Sequence, residues 1–393
     1  MPDRHDFDAR SLDMHRKHRG KMEIRPKVAI ETREDLSTAY SPGVAEPCRH
    51  IERDAALAYE LTPKGNLVGI VSDGSAVLGL GNIGGDAAIP VMEGKAILFK
   101  AFAGLDAFPI CLTTQEPREI IETVRRIAPV FGGINLEDIA APKCFEIEDA
   151  LQDLGIPVFH DDQHGTAIVT LAALINAAKV TGRRMEDLRV VIVGAGAAGT
   201  AIAQLLRCVN FDPNVCVPVR DIIACDSKGA IHARRTDLNP QKQALLAYTN
   251  RDNREGSLQE VLHGADVFIG VSKADLLTAG DIKNMAADPI VLAMANPDPE
   301  IRPEVAIGAG AAVVGTGRSD YPNQVNNVLA FPGIFRGALD ARAPRITAEM
   351  KIAAARALAA CVERPERERV LPDPLDKSVV PRVAEAVRGA ATG

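Results

Sequence analysis

The sequence predicts an α/β protein in two parts: a smaller N-terminal α/β unit, then a larger unit built on a doubly wound parallel sheet. Three observations carry this prediction. From residue 188 onward, short apolar runs at 188–193, 221–225, 267–271, 290–294 and 311–314 alternate with helical segments. That rhythm lays successive strands parallel, with helices between them. Before residue 160 the runs are less regular, and the texture changes at 160–165, where a long Ala-rich helical stretch (166–181) begins. The third observation is length: 393 residues make about two domains at roughly 100–200 residues each. The expected division is 1–163 and 164–393.

In the first part, residues 66–72 and 76–80 read as two strands around an Asp73-Gly74 turn, the usual hairpin signal. Residues 91–104 read as a helix that Pro90 keeps from starting earlier. A strand is expected at 108–112, an amphipathic helix at 117–128, and short strands at 131–135 and 156–159. After the second part's alternating strands, an Ala-rich helix (346–361), a Pro-rich stretch and a further helix close the chain.

Composition narrows the function. A net charge of −7 and the lack of a basic block interleaved with aromatics argue against nucleic acid as a partner. The locally basic stretch Asp13 to Lys27 reads as a solvated lead-in. No run of about 18 apolar residues is free of charge, so no membrane span is expected. Residues 1–10 are charged and lack the apolar core of a secretory signal. The seven cysteines (48, 111, 144, 208, 216, 225 and 361) are odd in number and show no Cys-x-x-Cys spacing. They read as reduced thiols in a cytoplasmic protein, with neither a disulfide framework nor a zinc site.

G-x-G-x-x-G occurs twice. Gly194, Gly196 and Gly199 follow a clean strand and, with Ala197 and Ala198, open a helix. That is the context of a Rossmann-type loop, where the backbone approaches a pyrophosphate at a helix N-terminus. Asp226 ends the next strand, where a ribose-binding acid belongs. Alone it favours NAD, but Ser227 and Lys228 follow and can bind the 2′-phosphate of NADP, so both cofactors stay open. The second match, Gly79, Gly81 and Gly84, lacks an acid at the end of its next strand. It is assigned to the wall of the active site.

Three carboxylates carry the chemistry: the adjacent pair Glu137 and Asp138, and Asp162 in the stretch 158–167. Hard oxygen ligands of this kind suit Mg²⁺ or Mn²⁺. A divalent ion beside a nicotinamide points to oxidation of a hydroxy acid followed by loss of CO₂, with the metal stabilising the enolate. Tyr40 precedes a Ser-Pro-Gly turn and Lys95 lies on an apolar helix. The first is an acid candidate and the second a base candidate, although each alone also reads as a packing or solvated residue.

Taken together, the stretches Ala-Tyr-Ser-Pro-Gly-Val-Ala (39–45), Val-Leu-Gly-Leu-Gly-Asn-Ile-Gly (77–84), Val-Met-Glu-Gly-Lys (91–95), Gly-Gly-Ile-Asn-Leu-Glu-Asp-Ile (132–139), Phe-His-Asp-Asp-Gln-His-Gly-Thr-Ala (159–167) and Gly-Arg-Ser-Asp-Tyr-Pro-Asn-Gln-Val-Asn-Asn-Val (317–328) resemble the malic enzyme family. The likeness is to the bacterial type, in particular the catalytic region of the long NADP-type enzymes without their phosphate-acetyltransferase-like extension. The resemblance implies oxidative decarboxylation of (S)-malate to pyruvate and CO₂ with reduction of NAD or NADP. It implies Glu137, Asp138 and Asp162 as metal ligands, Tyr40 as general acid, Lys95 as general base and Asp161 as its neighbour. Asn296 is implied at cofactor and substrate, with Asn326 and Asn327 at the substrate. His160 and His164 are expected outside the ligand set. Animal and plant members carry an Arg for a substrate carboxylate where this chain has Ser75 and Ala76, so backbone amides near Gly81–Gly84, or Lys100, are left as candidates. The rival readings are a dehydrogenase of another 2-hydroxy diacid and a non-catalytic nucleotide-binding paralogue. A homodimer or higher oligomer is expected, with 36–45 near the contact, because this segment has little core of its own.

Overall fold

The computed structural model describes residues 4–212 and 214–391 and gathers the strands into two sheets. The first contains β1 (Leu67–Ser72), β2 (Asp106–Cys111), β3 (Gly133–Leu136) and β4 (Val158–His160), in the order β2-β1-β3-β4. All its pairings are parallel. Helices Gly84–Ala103, Pro117–Ile127 and Lys143–Ala150 make the crossovers. The second sheet contains β5 (Arg189–Val193), β6 (Asp221–Asp226), β7 (Gly229–Ala230), β8 (Val267–Gly270), β9 (Ile290–Ala293) and β10 (Val313–Thr316). Its order is β10-β9-β8-β5-β6-β7, parallel except for β7, which turns back on β6. In each sheet the winding reverses beside the first strand, and ligands of open parallel sheets bind outside the strand carboxyl ends at such a point.

The hairpin expected over 66–80 does not form. β1 already has parallel neighbours on both sides, β2 and β3, so no edge remains for an antiparallel partner. Residues after Gly74 fold over instead, with one bridge (Val77 to Gly81) and a single turn of 3₁₀ helix at Leu78–Leu80. Gly74 takes a φ of 66°, and a Cβ there would lie 2.2 Å from the Gly84 carbonyl oxygen. Pro90 also fails to stop its helix, which runs from Gly84 to Ala103 with the proline inside. A proline in a helix forfeits one backbone hydrogen bond; burial of Ala88, Met92, Lys95, Ala96 and Phe99 offsets that loss.

The packing ties the two sheets together. Helix Asp161–Val180 starts at the end of β4, and its Ile168, Leu171 and Leu174 share one core with Val190 and Ile192 of β5. Helix Phe331–Asp340, far along the chain, returns to the first sheet. There Phe99 meets Phe331 and Phe335 edge-on with ring centroids 4.7 and 5.3 Å apart, and Phe335 also meets Phe159 at 5.9 Å. A Cβ on Gly133 would come 3.1 Å from the Phe335 ring, so β3 admits that helix by carrying no side chain. No described helix is long and apolar enough to cross a membrane.

The expectation that every cysteine is free is corrected: Cys208 and Cys216 are joined as a disulfide. The turn after helix Ala197–Leu206 brings their Cα atoms to 5.8 Å, a closeness that neither the odd count nor the linear spacing reveals.

Candidate active site

The acidic site follows from strand register. Leu136 of β3 lies opposite His160 of β4. The two residues that follow each, Glu137-Asp138 and Asp161-Asp162, therefore leave adjacent parallel strands side by side, at the carboxyl end of the sheet. One oxygen from each of Glu137, Asp138 and Asp162 can be chosen so that all three lie within 4.8 Å of one another. Glu137 and Asp138 are buried and Asp162 is partly open. The Asp138 amide donates to Asp162 Oδ2 at 2.8 Å, and Asn135 Nδ2 donates to Glu137 Oε2 at 2.8 Å. Asp138 holds a φ of 54°, a left-handed backbone that costs a non-glycine residue and tends to occur at functional sites.

Lys95 rises from its helix into the same corner. Its Nζ lies 2.5 Å from Asp161 Oδ2 and 2.8 Å from Glu137 Oε1, over the face of the Phe331 ring at 4.1 Å. Burial by itself would lower the lysine pKa, but Asp161 and Glu137 outweigh it and hold the ammonium above its ordinary range. Burial pushes the Asp161 carboxyl up to about 8, against the pull of Lys95. Glu137 is raised, first by burial and then by its neighbour Asp162, with Lys95 acting the other way. Asp162 is raised by burial. Buried like-charged carboxylates that remain costly to ionise are a ready seat for a hard divalent cation, and the three oxygens have the chemistry for one.

Behind this corner lies a residue that sequence reasoning missed. Glu148, buried in helix Lys143–Ala150, accepts from the His160 amide at 3.0 Å, from Gln163 Nε2 at 3.1 Å and from His164 Nε2 at 2.9 Å. It thereby fixes the strand end and the helix turn that carry Asp161 and Asp162. Both histidines are turned inward: His160 is fully buried, and burial lowers its pKa. Asp73, also buried, pairs with Lys143 at 2.5 Å and accepts from Ser75 Oγ at 2.6 Å, while Ser75 Oγ accepts from the Ala140 amide at 2.9 Å. This chain of contacts fastens the loop after β1 to the loop after Asp138.

Of the substrate candidates, Asn327 lies at the corner: a Cβ on Gly165 would be 3.2 Å from Asn327 Cβ and 1.8 Å from Asp161 Oδ1. Asn326 instead caps the following 3₁₀ turn, its Oδ1 accepting from the Val328 amide at 2.9 Å. Asn296, before a cis Pro297, is pinned between Gly79 and Gly317, where a Cβ would come within 2.8 Å of its carbonyl oxygen and of its Nδ2 respectively. The loop carrying Gly79, Gly81 and Gly84 thus touches the end of β9. Lys100 is taken by Asp106 at 2.7 Å on an exposed face of the helix.

Tyr40 is not gathered in. It ends helix Arg33–Ala39 with 68% of its surface exposed, and its hydroxyl makes no hydrogen bond among the described residues.

The glycine loop sits at the reversal of the second sheet. Gly194, at φ 105°, runs against Val271, and a Cβ on Gly199 would lie 1.8 Å from the Gly194 carbonyl. A Cβ on Gly196, by contrast, would meet nothing within 4 Å. Gly194, Gly196, Asp226, Ser227 and Ser272, with Pro142 and Phe145 from the first part, line a cavity of about 310 Å³. Ala197 and Ala198 open the helix beneath it. Buried Glu300 accepts from the Ser272 and Ala295 amides at 3.0 and 3.1 Å, bracing the strand ends beside the loop.

A dinucleotide-type loop on one parallel sheet, facing an acid-rich corner on another, defines a two-sheet α/β oxidoreductase architecture. Comparison with known proteins narrows the class. Residues 19–152 match the malic enzyme N-terminal domain, and residues 163–392 match the malic enzyme NAD binding domain. The chain belongs to the malic enzyme family. It is 57% identical to the bifunctional malic/malolactic enzyme of Bacillus subtilis over 97% of this chain and 92% of that one. Identity is 56% with the NAD-dependent malic enzyme of Geobacillus stearothermophilus, over 95% of this chain and 77% of the relative. With the NADP-dependent malic enzyme of Rhizobium meliloti it is 52%, over 89% of this chain but only 45% of the relative. Among solved structures, the NAD-dependent malic enzyme of Thermotoga maritima superposes with a TM-score of 0.92 at 48% identity, covering 96% of this chain and 98% of that one.

Proposed function

We propose that the chain oxidatively decarboxylates (S)-malate to pyruvate and CO₂, with residues 1–163 supplying the acid, base and metal ligands and residues 164–393 the dinucleotide site. The observation that carries the reading is the side-by-side exit of Glu137-Asp138 and Asp161-Asp162 from β3 and β4, with Lys95 already on Asp161. Glu137, Asp138 and Asp162 would hold Mg²⁺ or Mn²⁺, which supplies Lewis-acid polarisation of the substrate oxygen, while NAD or NADP takes the hydride.

The residues then divide the work. Lys95 removes the C2 hydroxyl proton. Its partner Asp161, 2.5 Å away, holds the amine in place against the substrate. Asn327 and Asn296 orient the diacid from either side. Tyr40 returns a proton to C3 of the enol. Exposed on its own chain, Tyr40 reaches such a site when a second copy docks the 36–45 segment across a homodimer contact.

The test is initial rates with NAD⁺ and NADP⁺ in turn at saturating malate and Mn²⁺, with pyruvate and CO₂ measured. Stoichiometric pyruvate, lost on chelation, supports the proposal. Turnover of another 2-hydroxy diacid in preference to malate overturns the substrate assignment. Lactate in place of pyruvate would favour the second activity in the name of the Bacillus subtilis relative.

A further inference from the structure

His160 is the last residue of β4, and its side chain is fully shut from solvent. The positions around it in the sheet are apolar: Val158 two residues back on the same strand, and Leu136 directly opposite on β3. An aliphatic side chain would fill such a place without the cost of stripping water from a polar ring. Neither ring nitrogen meets a partner at full hydrogen-bonding geometry among the described residues. Buried polar groups in that condition are few in native proteins, and each calls for a reason.

An imidazole carries at least one N–H to place, and two acceptors lie beside this ring. Asp162 Oδ2 is 3.8 Å from Nδ1, and the Ile139 carbonyl is the second. The carboxylate is the stronger acceptor of the two. The backbone of His160 is held as well, because its amide donates to Glu148 Oε1 at 3.0 Å. Helix Asp161–Val180 begins at the next residue, so Asp162 stands in its first turn. Asp162 Oδ2 already accepts from the Asp138 amide at 2.8 Å. That amide and Nδ1 therefore address one and the same oxygen, and leave the other to a cation. His164 cannot take this part, since its Nε2 is engaged by Glu148 at 2.9 Å. Nor does His160 stand among the ligands: the atoms that gather within 4.8 Å come from Glu137, Asp138 and Asp162.

We propose that His160 is a positioning residue for the divalent ion, its Nδ1–H holding Asp162 by the Oδ2 edge so that the carboxylate is set for the metal. This rests on the metal reading above and extends it to the residue that orients one ligand. Asp162 is the ligand that most needs such a hold, because it keeps 33% of its side chain open while Glu137 and Asp138 are buried.

The experiment measures Mn²⁺ binding to the whole chain, without malate or dinucleotide, from the paramagnetic resonance of the free ion. The thermal unfolding midpoint without metal is recorded beside it. His160→Phe keeps a ring and removes both nitrogens. His160→Asn sets an amide where Nδ1 stands, and His160→Gln sets one where Nε2 stands. The expected result is a loss of Mn²⁺ affinity of about tenfold or more in His160→Phe and His160→Gln, most of it regained in His160→Asn. The midpoint of His160→Phe should hold or rise, because a buried polar group without a full partner has been removed. Wild-type affinity in His160→Phe, or His160→Gln binding as tightly as His160→Asn, overturns the proposal. So does a midpoint that falls in step with affinity in all three variants, the mark of packing alone. Should His160→Phe fail to fold, the comparison of His160→Asn with His160→Gln still decides. In each of these cases wild-type binding of Mn²⁺ leaves the metal reading intact. Wild-type protein that takes up no Mn²⁺ sinks that reading and this proposal together.

Discussion

At the carboxyl end of the first sheet, four acidic side chains and a lysine are pressed into the strand exits, and the backbone there is strained at Asp138. At the carboxyl end of the second sheet the side chains withdraw, and Gly194, Gly196 and Gly199 bare the backbone. Both ends use the same device, a reversal of winding that leaves a crevice outside parallel strands. The first fills its crevice with charge, more acid than its one lysine balances; the second lays bare backbone along its crevice. On the function proposed above, one end polarises a small acid and the other lays down a long cofactor. The two meet where Pro142 and Phe145 join the glycine loop in one cavity.

The contrast breaks first at Asp162. Asp162→Asn removes one hard ligand and should cost about 10³-fold or more in Mn²⁺-dependent turnover, since metal polarisation is worth several kcal/mol. Dinucleotide binding, followed by fluorescence titration, should hardly change, because it belongs to the other sheet. Normal turnover in this variant would remove Asp162 from the metal site.

Lys95→Ala and Tyr40→Phe should each lower turnover by about 10²–10⁴-fold. Tyr40→Phe should do the greater harm to the conversion of added oxaloacetate to pyruvate, and normal processing by both variants would contradict the roles. Because Lys95 is buried and Tyr40 exposed, mixing the two inactive variants separates the routes by which they meet. If Tyr40 acts across a dimer contact, refolded mixtures should recover about a quarter of wild-type activity, from mixed dimers with one intact site. No recovery would place the two residues on one chain.

The glycines sharpen the comparison within the second sheet. Gly199→Ala sets a Cβ 1.8 Å from a carbonyl oxygen and should destabilise the fold by about 1–3 kcal/mol in denaturant titration. Gly196→Ala meets no protein atom within 4 Å. It should leave stability within about 0.5 kcal/mol, yet weaken dinucleotide binding about tenfold by blocking close approach of the pyrophosphate. Equal effects of the two substitutions on stability would mean that Gly196 serves the fold and not a ligand.

Much of this was legible because each feature is local. A glycine loop between strand and helix is read from a few consecutive residues, and so is an acidic pair after an apolar run. The alternation after residue 188 fixes the second sheet for the same reason. What stayed hidden depends on neighbours distant in the chain. The Asp73-Gly74 turn signals a hairpin only while β1 has a free edge, and β2 and β3 take both. Tyr40 cannot be placed by any pattern if its surroundings belong to another copy. Glu148 was recoverable: it sits at i+4 from Cys144 and next to Ile147 on the buried face of a short helix, an odd place for a carboxylate without partners.

Glu148 also gives the smallest and most specific way to probe the acidic end. Burial would raise its pKa, but His164, with Lys351 and His160 beyond, holds it at about 2 against an ordinary 4.5. A carboxylate depressed in the folded state stabilises the protein above the unfolded value, and that contribution fades as pH falls through the folded one. Glu148→Gln should therefore cost about 1–3 kcal/mol at neutral pH, the range for hydrogen bonds to a charged group. The deficit should shrink steadily between roughly pH 4.5 and pH 2, where wild type loses the same contribution. Urea titrations of both proteins across that window measure it. A deficit that stays constant with pH would mean that Glu148 contributes shape rather than charge, and that the exits of β3 and β4 are held by packing alone.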